Sequence, residues 1–335
     1  MDKKTIIEVK DLKVHFETKK GLVADLLGKD KRVLKAVDGV SFEIKEGEIL
    51  SLVGESGCGK TTTGKAVLGL ARPTEGSVSF RGENLAGYDK PSMKQFRRKA
   101  QMIFQDPYQS VNPREIVMDI VAEPLDVNHL VKTEEERTGK VKKALEQAGM
   151  LPAEDFFYRY PHELSGGQRQ RVIIASSIIM EPDFLVADEP VSMLDASIRT
   201  EILKLMMDLR KQRSLAYLFI THDLSLAWLV SDRIAIMYLG RIMEIGGAHD
   251  IIHNGLHPYT RALTSIMPVP GVRRQTQRVI LPGETPNPIE EIRGCKFRGR
   301  CSMAKAICEE QLPELTETGS GHYTACHFAK ENMND

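Results

Sequence analysis

Residues 5 to 16 and 40 to 53 alternate β-branched or other apolar side chains with polar ones, and glycines at 39, 47 and 76 punctuate them. A period of two places one apolar face on a pleated ribbon, so the first eighty residues read as strand-rich. Between the two runs, the charged and glycine-interrupted stretch Lys19 to Arg32 reads as a loop insertion. From about Pro91 to Gln170 the pattern turns helical, and the charge-laced run Glu134 to Gly149 ends on a glycine suited to a helix C-cap. Apolar runs return at Phe184 to Ala187 and Leu215 to Ile220. Between them Ile198, Ile202, Leu205, Met206 and Leu209 share one face of a helix from about Ala196 to Arg213. Strand, helix, strand predicts a parallel sheet and an α/β fold with a helical subdomain near 91–170. After about Pro258 the chain shifts to Pro, Gly and Arg, which reads as a linker into a separate tail. No internal repeat is evident.

Composition narrows the function. The 335 residues are enough for one large domain and a smaller one, and 41% hydrophobic with 27% charged residues is the mix of a folded globular chain. Lys plus Arg balance Asp plus Glu at 46 each, so bulk charge advertises neither a nucleic-acid binder nor a polybasic membrane anchor. No apolar run approaches the roughly 18 to 20 residues of a spanning helix, and the N-terminus lacks the apolar core of a signal peptide. The chain is therefore expected in the cytosol. Four of the five cysteines follow residue 294, and in a reducing compartment such clustering favours metal binding over disulfides.

The sharpest motif follows the buried-strand run Ile49 to Val53. Gly54-Glu-Ser-Gly-Cys-Gly-Lys-Thr61 has the spacing of a phosphate-binding loop between a strand and a helix-compatible stretch. Gly54, Gly57 and Gly59 permit the torsions that turn backbone N–H groups, including those of Ser56 and Cys58, toward a phosphate, and the helix N-terminus adds partial positive charge. Lys60 is placed to bridge β and γ phosphates, Thr61 to ligate Mg²⁺ and Thr62 to reach the α phosphate. Phe184-Leu-Val-Ala-Asp-Glu-Pro190 delivers two adjacent carboxylates at a strand end. Side-chain alternation points them apart, Asp188 toward a metal shell and Glu189 toward a general-base role. His222, after Leu215 to Ile220, sets an imidazole at another strand's end.

Leu164-Ser-Gly-Gly-Gln-Arg-Gln-Arg171 adds a second turn leading into a helix, a further anion cradle that one phosphate loop does not need. With this run the sequence resembles the nucleotide-binding subunits of ATP-binding cassette (ABC) transporters. The resemblance implies a RecA-like core with an antiparallel β subdomain and a helical subdomain over residues 1–260, followed by a small extension over 261–335. It implies ATP and Mg²⁺ as ligands, and a dimer in which Ser165, Gly166, Gly167 and Gln168 face ATP bound to the other subunit. Phe16 matches the aromatic that stacks on adenine, Gln105 the loop that contacts Mg²⁺ and the membrane partner, Ser192 to Asp195 the D-loop, and His222 the switch histidine. Core packing is the competing reading for Phe16. Ala36-Val-Asp-Gly-Val-Ser-Phe42, Val53-Gly-Glu-Ser-Gly-Cys-Gly-Lys60, Gln105 to Pro113, Met237-Tyr-Leu-Gly-Arg241 and His257-Pro-Tyr-Thr260 further resemble the ATPases of dipeptide and oligopeptide importers. That implies a second, similar ATPase, two membrane permeases, an extracytoplasmic binding protein acting indirectly, no nucleic acid, and a place on the cytoplasmic face of the membrane. Oligosaccharide, nickel or glutathione cargo is the variant reading. A soluble ABC ATPase acting on ribosomes or DNA is the rival from another class, and it fits poorly with a single cassette whose cysteines trail it.

Those cysteines, Cys295, Cys301, Cys308 and Cys326, offer four thiolates, enough for a tetrahedral Zn²⁺ or a [4Fe–4S] cluster. No tight Cys-x2-Cys pair is present. The wide spacing resembles the C-terminal motif of peptide-importer ATPases, and the resemblance implies an iron–sulfur cluster, with Zn²⁺ as the alternative. His322 and His327 are substitute ligands. Lys296, Arg298 and Arg300 would offset the negative charge of such a site.

Overall fold

The computed structural model describes residues 3–18, 32–107, 109–267, 279–287, 289 and 292–331. The predicted insertion lies outside them except for Arg32, which opens a strand; of the linker predicted after about Pro258, Pro258–Ser265 is instead a helix and residues 268–278 lie outside. The chain divides into two compact units, one built mainly from residues 87–219 and the other from 7–43, 49–86 and 220–335.

In the first unit, α3 (Val117–Val127), α4 (Glu134–Gln147) and α5 (Gly166–Ile178) bury one face each in a common core around Val121, Leu125, Val141, Leu145, Val172 and Ala175. Helix α4 begins at Thr133, whose hydroxyl accepts from the Glu136 N–H at 3.2 Å, and ends as predicted with Gly149 at positive φ. The interval from Pro91 to Gln170 is not wholly helical. After α2 (Lys90–Lys99), residues Ala100–Ile103 form strand β6, which pairs in parallel with β7 (Phe184–Asp188) from Ala100 opposite Phe184 to Ile103 opposite Ala187. Four residues are too few for a period to show. β7 is buried along its whole length and lies between β6 and β8 (Ala216–Thr221). Helix α6 (Ala196–Arg213) buries Ile202, Leu203, Met206 and Leu209, close to the predicted stripe, with Leu203 joining it.

The second unit holds an antiparallel sheet in the order β2-β1-β4-β5, from β1 (Thr5–Thr18), β2 (Arg32–Lys45), β4 (Glu75–Phe80) and β5 (Glu83–Asn84). It also holds β3 (Ile49–Val53), every residue of which is buried, running in parallel with β9 (Arg233–Tyr238) and feeding α1 (Lys60–Val67). Full burial on both faces explains why β3 reads as a continuous apolar run. Helix α7 (Leu224–Val230) precedes β9. Beyond β9 the pairing turns antiparallel: β10 (Arg241–Gly247) folds back on β9, and the tail hairpin β11 (Thr316–Gly319) and β12 (His322–Thr324) continues antiparallel from β10. Leu239-Gly240, both at positive φ, forms the two-residue β9–β10 turn. The tail thus adds strands to the sheet, and Cys295, Phe297 and Cys308 lie in the same apolar core as Tyr238, Ile251 and Tyr259. Helices α8 (Ala248–His253), α9 (Pro258–Ser265) and the single turn α10 (Ile307–Glu310) complete the unit. Glu244, fully buried on β10, fixes this junction. Its carboxylate accepts from the Leu256 N–H at 2.7 Å, the His257 N–H at 3.0 Å and His322 Nε2 at 2.7 Å.

Candidate nucleotide site and cysteine cavity

The phosphate loop is shaped by its neighbours. Gly54 and Gly59 sit where any side chain would collide with backbone: a Cβ at 54 would run into the Met237 carbonyl oxygen, and one at 59 into that of Ala36. Gly59 also has φ +108°, a conformation an L side chain rarely adopts. Gly57, with φ +77°, meets nothing, so its requirement is torsional alone. Helix α1 starts at Gly59 with no side-chain cap, so the partial positive charge of its N-terminus sits at the loop. The Lys60 ammonium is buried and donates to the loop's own carbonyls, Gly54 at 2.8 Å and Glu55 at 2.9 Å. Cys58 is buried with its thiol pushed up by desolvation, while its carbonyl accepts from the Gly240 N–H at 2.8 Å. It serves the loop through its backbone and stands apart from the tail cysteines.

Ser56 is exposed at the loop's crest, and Thr61 and Thr62 open α1 half-buried. Phe16, on β1, is 45% exposed, so core packing does not account for it. His222 follows β8, and Asp223 caps α7 by accepting from the Ser225 N–H at 2.8 Å.

The first unit carries the other predicted residues. Asp188 ends β7 buried, and Glu189 leaves the strand at φ +47°. Strand alternation stops at Asp188, and Glu189 takes a left-handed conformation rare for a non-glycine residue and concentrated at functional sites. The Gln105 amide donates to Glu189 Oε2 at 3.1 Å, joining two positions 84 residues apart. Ser192 bonds back to the Glu189 carbonyl through both its N–H, at 3.2 Å, and its hydroxyl, at 3.0 Å. Ser165 caps α5 in a reciprocal box: its hydroxyl accepts from the Gln168 N–H at 3.2 Å, and Gln168 Oε1 accepts from the Ser165 N–H at 3.0 Å. A Cβ at Gly167 would press on Ile198 Cγ2 at 2.7 Å, whereas one at Gly166 meets only Leu194 at an ordinary 3.6 Å.

In the tail, Cys295, Cys301, Cys308 and Cys326 line one cavity of about 20 Å³ together with His257, Met303, His327 and Phe328. The Cys295 N–H donates to the Cys308 carbonyl at 2.8 Å, and Gly294, at φ +63°, leaves no room there for a Cβ. Burial pushes the Cys295 thiol up to about 11 and raises Cys301 and Cys326 as well. Among the described residues, however, no group of three or more His, Cys, Asp or Glu side chains is arranged to hold a metal ion. His322 is not a spare ligand, since Glu244 holds it. His327 Nε2 bonds the Gln311 carbonyl at 3.0 Å. Nor do Lys296 and Arg300 serve the cysteines: they pair with Asp38 and Glu55. Neither acidic partner, Asp38 nor Glu55, is marked by any spacing that links it to the tail.

A family model for the ABC transporter matches residues 37–192, and one described as the oligopeptide/dipeptide transporter C-terminal region matches residues 243–308. Loop, carboxylate pair and capped signature helix thus belong to an ABC-type ATPase, whose ligands are ATP and Mg²⁺. The oligopeptide transport ATP-binding protein AppF of Bacillus subtilis is 45% identical over 98% of both chains, and OppF of Salmonella typhimurium is 42% identical over 97% of this chain and 96% of its own. The chain belongs to this family of oligopeptide transport ATP-binding proteins. Among solved structures, the dimeric ATP-binding cassette MJ0796 bound to ADP and Pi matches with a TM-score of 0.63 at 27% identity, over 72% of this chain and 99% of that one. CbiO1 from Clostridium perfringens matches with 0.62 at 26% identity, over 75% and 92%.

Proposed function

We propose that this chain hydrolyses ATP to drive a peptide importer, working as one half of a nucleotide-sandwich dimer with a second, similar ATPase, docked on two permeases at the cytoplasmic face of the membrane. The observation that carries this reading is kinship along nearly the whole chain, tail included, with oligopeptide transport ATP-binding proteins. No helix among the described residues is long and apolar enough to cross a membrane, so the passage itself is assigned to partners. Phe104, beside Gln105, and Leu151 and Tyr158 are exposed in the first unit, apolar surface of the kind a permease covers.

The roles follow from chemistry. Phe16 stacks on adenine. The N–H groups of the glycine-rich loop and the first turn of α1, apart from that of Glu55, and the Lys60 ammonium hold the phosphates, with Thr62 on the α side. Thr61, Gln105 and Asp188 would hold Mg²⁺, which supplies neutralising charge at the β and γ oxygens. Glu189 accepts the proton of the water that attacks the γ phosphorus, ADP leaves with the opposite oxygen, and Gln105 orients the carboxylate. His222 steadies the γ phosphate, and Ser165 with Gly166, Gly167 and Gln168 offers its helix end to the partner's ATP.

For the tail, Cys295, Cys301, Cys308 and Cys326 would hold an iron–sulfur cluster. Four thiols on one cavity, with no carboxylate in its lining, are a donor set suited to iron–sulfur ligation. A bound cluster would cross-link the tail and deprotonate the raised thiols.

The test is to solubilise membranes in mild detergent under anaerobic conditions and purify the tagged chain. Two multi-span permeases and a second ATPase should accompany it, with iron and acid-labile sulfide near four each per chain. Recovery from the soluble fraction with ribosomes or DNA-bound proteins would overturn the importer reading, and zinc without iron would overturn the cluster.

A further inference from the structure

The phosphate loop contains an acidic residue that opposes its purpose. A carboxylate at Glu55, one residue after the first loop glycine, repels a triphosphate unless something answers its charge. Arg300, in the tail, does so. One guanidinium nitrogen, Nη1, donates to both carboxylate oxygens, at 3.0 and 2.9 Å, and lies 3.4 Å from the Thr285 hydroxyl, which itself bonds to Glu55. The Arg300 side chain is only 11% exposed, lies over the Tyr238 ring and stands beside Cys301. The Glu55 N–H in turn donates to the Tyr259 hydroxyl at 3.3 Å, and the Glu55 carbonyl receives the Lys60 ammonium. The carboxylate that Arg300 ties down thus belongs to the same residue whose main chain holds the phosphate-binding lysine.

The loop's other flank is held the same way. Lys296, beside Cys295, donates to Asp38 Oδ2 at 2.7 Å and to the Leu239 carbonyl at 3.0 Å. Asp38 N–H bonds the Gly240 carbonyl, and Gly240 N–H bonds the Cys58 carbonyl in the loop, both at 2.8 Å. Between the two cations Phe297 is buried against Tyr238 and Tyr259, with ring centroids 5.3 and 5.2 Å away. The segment Cys295 to Cys301 therefore holds the phosphate loop directly at Glu55 and, through Asp38 and Gly240, indirectly at Cys58.

We propose that Arg300 is a positioning residue for the nucleotide site: by neutralising and restraining Glu55 it sets the affinity of the phosphate loop, so that the tail forms part of the ATP-binding apparatus. This rests on ATP binding at Gly54 to Thr62. It predicts a charge-specific coupling that a general loss of folding does not produce. A buried partner left unpaired is penalised more than a pair removed together.

The experiment is a double-mutant cycle on the full chain, with Kd for ATP and for AMP measured by calorimetry and Tm recorded alongside. Arg300→Ala should weaken ATP binding about tenfold and AMP binding about twofold, because the unanswered carboxylate repels the more highly charged ligand more strongly. Adding Glu55→Gln to Arg300→Ala should restore most of the affinity that Arg300→Ala loses. If Arg300→Ala does not fold, Arg300→Gln carries the same test, and Arg300→Lys should retain most of the affinity. Equal weakening of ATP and AMP, or no rescue by Glu55→Gln, would make Arg300 a plain structural anchor and overturn the proposal. So would unchanged ATP binding in Arg300→Ala. Failure of the parent chain to bind ATP would instead remove the reading beneath it.

Discussion

Two helices in this protein begin with glycine-rich turns suited to anions, and they are built in opposite ways. At α1 the turn is enclosed by its own chain: Gly54 and Gly59 are required by the Met237 and Ala36 carbonyls, and the helix has no side-chain cap. At α5 the turn is self-satisfied. Ser165 and Gln168 close a capping box, and Gly166 has room for a methyl group. The first arrangement sets the helix's partial positive charge at a rigid loop, which suits tight binding. The second holds a helix end in shape while keeping one glycine that its own fold does not require, as expected where another molecule approaches the backbone.

The largest effect that would break this comparison is at Lys60. Lys60→Ala should abolish measurable ATP binding and hydrolysis, while the same assay on Ser165→Ala should show binding intact. Glu189→Gln comes next: steady-state phosphate release should fall by about 10² to 10⁴ with ATP binding retained, and normal turnover would remove Glu189 as base. Gly59→Ala should lower the melting temperature and cripple binding together, since both the torsion and the Ala36 carbonyl oppose a side chain. Gly166→Ala sharpens the contrast: Tm should stay within about a degree of the parent while turnover of the assembled dimer drops, and a large fall in Tm would show that its own fold requires that glycine too. Smallest is Ser165→Ala, where losing the cap should destabilise by about 1 kcal/mol in denaturant titration.

Much of this was legible in the chain. The phosphate loop, the carboxylate pair, the signature run and helix α6 all rest on spacing within a few dozen residues, and local spacing is what a sequence displays directly. β6 was invisible, because its four residues owe their strand to β7 about eighty residues away. The positive φ of Glu189 was equally hidden, since nothing in Asp-Glu-Pro announces a left-handed turn. Of the three basic residues beside the cysteines, Lys296 and Arg300 pair with Asp38 and Glu55, and Arg298 stays in the lining of the cysteine cavity.

The sequence by itself displayed the candidate chemistry: a loop with phosphate-binding spacing, a carboxylate pair at a strand end and four cysteines clustered in the tail. Tertiary structure alone decided that the tail belongs to the nucleotide-binding unit. Long-range ion pairs such as Arg300 with Glu55, 245 positions apart, and the β10–β12 pairing that brings His322 to Glu244 leave no period in the chain. They exist because buried charges and open strand edges require partners, and only the folded packing determines which ones they meet.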